Sequence, residues 1–291
     1  MAKGRELKGR IKSVENTRKI TRTMEMVATS KMKRAADRVS AARPYALALG
    51  EVLSHVYTPE LAEQFPLLRR PAQIKRAALV VLTANRGLCG AFNTNLLRES
   101  RARIAEWEGK GVSVELHLVG RKGIGFFKYL GRATASSRSD IGDRPTSADA
   151  ASLIDDLMAR YAAGELDAVF ITYAKYKSAL STPPATEQVL PVVAPSTSDS
   201  GSAAARDFIL APSAQDILEA LLPLYVRNTV YRALVETAAG EQGARRTAMK
   251  NATDNATEML QLLKRTYNSA RQAQITQEIA EIVGGASALQ G

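Results

Sequence analysis

Cysteine, tryptophan and histidine are nearly absent from this chain: its 291 residues include one Cys, one Trp and two His. A lone Cys89 cannot close an intramolecular disulfide. His55 and His117, with only Glu115 close by in sequence, fall short of the ligand set a structural zinc needs, so no metal site is expected. No run of about 18 uncharged apolar residues occurs, and no membrane span is expected. The stretch Met1 to Arg22 carries Glu6 and Glu15 and lacks an apolar segment of about 7 to 15 residues, so neither a signal peptide nor an acid-free transit peptide is expected. The chain reads as intracellular. A G-x-x-x-x-G-K-[ST] phosphate loop is also missing.

What is present is apolar bulk and a localised positive charge. Hydrophobic residues make up 45%, enough for a substantial core. Of the net charge of +11, residues 1–43 contribute +9 (13 Lys and Arg against 4 Asp and Glu), residues 44–205 contribute +2 (18 against 16) and residues 206–291 contribute 0 (9 against 9). A basic stripe is the footprint of nucleic-acid binding. Yet no aromatic residue precedes Tyr45 to stack on bases, and no zinc-finger or RNP spacing appears, so a solvated helix face is the simpler reading.

Three segments of different character follow each other: 1–57, 75–205 and 206–291. The first has one internal proline, Pro44, and glycines only at 4, 9 and 50, so one long helix is expected, bent or interrupted at Pro44. Its apolar residues recur at helical spacing as Leu7, Ile11, Val14, then Ile20, Met24, Val27, then Met32, Ala35, Val39. The two slips in this stripe suggest an irregular coiled coil. In the middle segment, Ala77 to Thr83 and Asp167 to Tyr173 are continuous apolar runs, as in strands buried on both faces, and Val112 to Val119 alternates. Helical candidates lie at 92–108, 123–130 and 147–163. Thr186 to Val193 is a candidate edge strand and Pro195 to Ala203 a loop. The fold class is therefore α/β: a Rossmann-like three-layer domain with a mainly parallel sheet between two very long helices. Ser213 with Asp216 reads as the N-cap of the last helix, which Pro223 should kink. Its late register runs Met249, Ala252, Ala256, Leu260, Leu263, Tyr267, Ala270, then Ile275, Ile279, Ile282, Ala286, Leu289, the last five reading as a coiled-coil seam. Helices of about 55 and 78 residues span roughly 80 and 115 Å, so they should pair antiparallel beside a globular head, with the C-terminal one overhanging.

Catalytic candidates are few. The turn Asn85-Arg86-Gly87-Leu88-Cys89-Gly90 leads into a helix and could hold a phosphate on backbone amides, while Gly120, Gly123 and Gly125 have the dinucleotide spacing in the wrong order. Tight turns account for both. A Cys89–His117 nucleophilic pair is conceivable, but an isolated Cys is usually a small buried hydrophobe. No catalytic residue and no cofactor is expected.

Two terminal motifs are more specific: R-I-K-S-V-E-N-T-R-K-I-T-R-T-M-E-M-V-A-T-S-K-M (Arg10 to Met32), and A-T-D-N-A (Ala252 to Ala256) with Y-N-S-A-R-Q-A-Q-I-T-Q-E-I-A-E-I-V-G-G-A (Tyr267 to Ala286). Together with the central N-R-G-L-C-G (Asn85 to Gly90), they resemble the gamma subunit family of F-type ATP synthases over essentially the whole chain. The resemblance implies a central rotor: a coiled coil inside a ring of three alpha and three beta subunits, and a foot against the epsilon subunit and the membrane c-ring. Proton flow through the c-ring would turn the shaft and drive the beta sites through ATP synthesis, with no chemistry on this chain. It also implies coupling contacts to beta at Met24, expected opposite the C-terminal contacts, and at Arg271, Gln272, Thr276 and Glu281, with added attraction from Lys19 and from the bases between Arg22 and Lys33. Ile279, Ile282, Val283, Ala286 and Leu289 would form an apolar bearing tip, loosened at Gly284-Gly285. An inhibitor protein is a further candidate partner; nucleic acid is not. The implied place is the cytoplasmic face of a bacterial inner membrane. Departures from the family pattern are G-A-F-N at Gly90 to Asn93, F-I-L-A-P ending at Pro212, and Gly240-Glu241-Gln242-Gly243. Two readings compete with the rotor: a nucleotide-dependent enzyme using the central domain, and a basic coiled-coil nucleic-acid binder.

Overall fold

The computed structural model describes residues 2–56, 64–178, 181–193 and 213–290, with the side chains of 2–4, 55–56, 214 and 287–290 left aside. The loop expected at Pro195 to Ala203 and the F-I-L-A-P stretch lie outside these residues. In chain order the elements are α1 (Ala2–Val56), a 3-10 turn (Pro66–Leu68), β1 (Arg76–Leu82), α2 (Phe92–Gly109), β2 (Ser113–Val119), α3 (Arg121–Tyr129), β3 (Ser136–Arg138), α4 (Ser147–Ala162), β4 (Ala168–Ala174), β5 (Pro184–Leu190) and α5 (Ala214–Gln290). They form two compact units, Thr29–Ala244 and Met1–Ala28 with Arg245–Gly291.

The larger unit is built on a five-stranded sheet of order β3-β2-β1-β4-β5. β1 pairs parallel with β2 and β4, β2 pairs parallel with β3, and β5 closes the edge antiparallel to β4. The apolar run of β1 is continuous because both faces of the strand are covered. Ala78, Val80 and Leu82 point into a core shared with Ile154, Leu157 and Tyr161 of α4, Leu53 of α1, and Leu218, Leu222 and Val226 of α5. Leu79 and Val81 point the other way, onto Leu97 and Ile104 of α2 and Phe127 of α3. The result is the expected three layers, with the terminal helices completing one of them.

Local signals place the helices. Thr146 and Asp149 form a reciprocal capping box at the start of α4, the backbone N–H of each donating to the side chain of the other at 2.8 and 3.2 Å. Ser213 caps α5 as expected, accepting from the Asp216 N–H at 3.1 Å. No interruption appears at Pro44, and Pro223 also lies within its helix. Each proline removes one backbone hydrogen bond, but burial of Leu49 and Leu53 after Pro44, and of Leu218, Leu222 and Val226 around Pro223, holds both segments against the core. The bidentate pair from Arg227 to Asp155, at 2.8 and 2.9 Å, ties α5 to α4.

Two glycines mark close approaches. Gly120 has φ +97°, and a Cβ there would lie 2.1 Å from the Thr83 carbonyl oxygen. Gly240, one of the departures from the family pattern, lets α5 press on the domain: a Cβ would sit 3.2 Å from Ala174, Phe92 and Thr182. The edge strand appears close to where it was expected. The three-residue β3 and the 3-10 turn have no sequence counterpart; S-S-R carries no apolar alternation.

The seam of α1 corrects the sequence reading. Residues withdrawn from solvent step alternately by four and three without a break: Leu7, Ile11, Val14, Arg18, Thr21, Glu25, Ala28, Met32, Ala35, Val39, Ala42, Ala46, Leu49, Leu53. This is a regular 3.5-residue repeat. The apparent slips arise because Arg18, Thr21 and Glu25 occupy seam positions, while Ile20 and Val27 stand 60% and 51% exposed. In α5 the same stepping runs through Met249, Thr253, Ala256, Leu260, Leu263, Tyr267, Ala270 and Gln274. There it stops.

Candidate functional site: the exposed faces of the terminal helices

In the smaller unit the two helices meet at Thr21 and Thr253, whose hydroxyls hydrogen-bond at 2.8 Å. With the helices antiparallel, Ala2 lies 19 residues before Thr21 and is level with about residue 272 (253 + 19). α1 therefore runs out where the α5 seam ends. Every residue from Ile275 to Ala286 is exposed, Ile282 at 71%, so the expected seam over the last apolar residues finds no cover within this chain among the described residues. An apolar face that protrudes beyond its partner helix calls for another surface.

The resemblance-derived residues fall into two zones. Arg271, Gln272, Thr276 and Glu281 stand on the exposed end of α5, where the Thr276 hydroxyl donates to the Gln272 carbonyl at 3.0 Å and Gln277 Nε2 donates to Glu281 Oε1 at 2.9 Å. Arg271 has no ion pair among the described residues. Ile279, Ile282, Val283 and Ala286 continue the same exposed helix, and the side chain of Leu289 lies outside the described residues. Met24 is half-buried and level with about residue 250 (253 − 3), hence about 21 residues, or roughly 32 Å, from Arg271. It is not brought together with the C-terminal group. Around Met24 the outward surface carries Ile20, Met26 and Val27, all more than half exposed. Apolar spacing alone puts Ile20 and Val27 in the seam, and only the register of the polar seam residues shows otherwise.

A further exposed apolar residue sits on the loop after β1. Leu88 holds φ +62° and is 63% exposed, while Cys89 beside it is buried at 1%. A left-handed backbone is costly for a leucine, and here it points an apolar side chain at solvent.

The glycine turn between β2 and α3 is closed to phosphate. At the N-terminus of α3 the Gly120 N–H donates to the Arg138 carbonyl, Arg121 N–H to Asn85 Oδ1 and Lys122 N–H to the Ala84 carbonyl. Gly123 N–H donates to Thr83 Oγ1 at 2.9 Å. With these donors engaged, the dipole end of the helix has nothing to offer an anion. Cys89 and His117 do not meet either. Asn93 Nδ2 donates to Cys89 Sγ at 3.2 Å, whereas His117 lies between Ser136 Oγ at 2.8 Å and Glu115 Oε1 at 3.1 Å. Arg160 clamps Glu115 bidentately at 2.8 Å and holds its carboxyl below the usual range. Burial lowers the His117 pKa, opposed by Glu115. Among the described residues no group of His, Cys, Asp and Glu could hold a metal, and no helix is long and apolar enough to cross a membrane.

Comparison with known proteins decides the family. A family model described as ATP synthase matches residues 3–289. The chain is 78% identical over 291 residues, all of both chains, to the ATP synthase gamma chain of Gemmatimonas aurantiaca. The chain belongs to the ATP synthase gamma chain family. It is 46% identical to the gamma chain of Leptospira biflexa, over 99% of this chain and all of that one. Among solved structures, a central stalk/c-ring structure of the Tetrahymena thermophila mitochondrial ATP synthase matches with TM-score 0.61 and 27% identity, over 80% of this chain and 99% of that one. A Euglena gracilis mitochondrial ATP synthase chain shares the fold, with TM-score 0.66 and 20% identity over 99% of this chain and 95% of that one.

Proposed function

We propose that this chain is the noncatalytic rotor shaft of a bacterial F-type ATP synthase, turning with a proton-driven c-ring inside a ring of alpha and beta subunits. The observation that carries the reading is the end of α5: a helix that outruns its partner by more than a dozen residues and keeps isoleucine and valine in the open. Such a face is unstable in water unless something surrounds it. An apolar sleeve satisfies it without directional bonds that would have to break at each step. The zone at Arg271, Gln272, Thr276 and Glu281 supplies the opposite kind of contact. Arg271 is free to make a bidentate bond to a carboxylate on beta, and Met24, about 32 Å away along the pair, marks a separate contact zone.

Coupling then follows from asymmetry. The shaft presents different side chains in each direction, so each orientation favours a different beta conformation by the difference in contact energy. Every 1.4 kcal/mol of that difference is about tenfold in nucleotide affinity. The foot, built on the sheet domain, would rest on epsilon and the c-ring at the cytoplasmic face of the inner membrane. Copurification tests the assignment: tagged chain expressed in its own cell should bring down alpha and beta subunits. If it comes down alone, the reading fails.

A further inference from the structure

A cavity of about 610 Å³ opens in the larger unit at the carboxyl ends of β1 and β2, beneath Leu82, Thr83 and Val119. Ligands of parallel α/β sheets gather at this end of the strands, and the size is that of small-molecule sites, about 300 to 1,000 Å³. Its lining is cationic. Arg34 and Arg38 come from α1, Arg86 from the loop after β1, Arg121 from the start of α3 and Arg144 from the loop before α4. Four separate stretches of chain thus bring arginines to one concavity.

Two acids, Asp143 and Glu241, also line it, against six bases: Lys31 and the five arginines. Asp143 is engaged by Lys31 at 2.6 Å, which uses the one lysine of the lining, and its carbonyl takes a bond from Arg38 at 3.4 Å. Arg34 reaches only Ser30, one turn back on its own helix. Among the described residues Arg86, Arg121 and Arg144 make no side-chain ion pair. Like charges are brought together at a cost, and a dianionic or polyanionic guest offsets it. Guanidinium suits phosphate because its fork matches two oxygens at once.

We propose that this cavity is a noncatalytic site for a small phosphate-bearing anion with two or more phosphates, held by arginine side chains. It differs from a dinucleotide site, whose phosphate would sit on the α3 amides already engaged within the chain. Nothing in the lining offers a general base beside a nucleophile, so the occupant would be bound and not transformed. The proposal is independent of the rotor reading.

The test is calorimetric titration of the full chain with pyrophosphate, ADP, ATP and adenosine, repeated on Arg121→Gln/Arg144→Gln. Pyrophosphate and both nucleotides should bind while adenosine does not, and the double variant should lose about tenfold or more in affinity with an unchanged unfolding midpoint. Equal affinity for pyrophosphate and ADP assigns the site to phosphate alone; tighter ADP adds a base contact. Added salt should weaken binding steeply. Absence of heat with pyrophosphate and both nucleotides overturns the proposal, as does binding that the variant leaves unchanged. An acidic peptide that binds where pyrophosphate neither binds nor competes would also overturn it and make the cavity a protein contact.

Discussion

Leu88 combines a left-handed backbone with an exposed apolar side chain. At φ +62° the leucine is strained, so Leu88→Gly should leave the stability of the isolated chain within about 1 kcal/mol while weakening assembly with alpha and beta. Urea midpoints and copurification read the two effects separately. Gly120 is the reverse case. Gly120→Ala sets a Cβ against the Thr83 carbonyl at a positive φ and should lower stability by at least about 2 kcal/mol in the same unfolding assay. His117 gives the pH signature. Burial depresses its folded pKa below the ordinary 6.5, so the unfolded state takes up the proton first as pH falls. The stability held above pH about 6.5 is then lost as pH falls through the depressed folded value. His117→Asn should remove that loss below pH about 6.5, and an unchanged pH profile would contradict it. None of these roles was legible in composition: Leu88 and Gly120 depend on φ, and His117 on a partner 19 residues away in β3.

Among the elements, the strands and short helices were readable because burial on both faces of β1 and β4 writes a continuous apolar run, and a capping box marks α4. The seam of α1 was not readable from apolar residues alone. Thr21, Arg18 and Glu25 keep the repeat that Ile20 and Val27 seem to break, because a long helix pair tolerates polar seam residues that find partners such as Thr253. Paired substitutions test this register. Ala28, buried at 1%, should not accept a charge: Ala28→Asp should destabilise the chain by about 2 kcal/mol or more. Val27→Asp, one residue away and half exposed, should change stability by less than about 0.5 kcal/mol. If thermal or urea unfolding reverses that order, the register is wrong. The α5 overhang follows from helix length, while spacing alone reads its last apolar residues as seam and the family resemblance reads them as a bearing tip. The arithmetic of the Thr21–Thr253 contact turns them into outward surface.

At the scale of the whole molecule, the exposed apolar end of α5 and an Arg271 without an ion pair among the described residues fit the proposed assembly. Arg271→Glu should leave the chain folded and ATP hydrolysis present while reducing protons pumped per ATP, because it places a negative charge where a carboxylate partner is expected. Rotation itself is open to direct observation, helped by the scarcity of cysteine. Cys89 is buried at 1% and Tyr129, at the end of α3, is 88% exposed. A Tyr129→Cys chain can therefore carry one surface label, assembled with an alpha and beta ring fixed to glass. On adding ATP the label should turn in one direction in repeated steps. Hydrolysis by the same immobilised complexes with the label stationary would contradict the account.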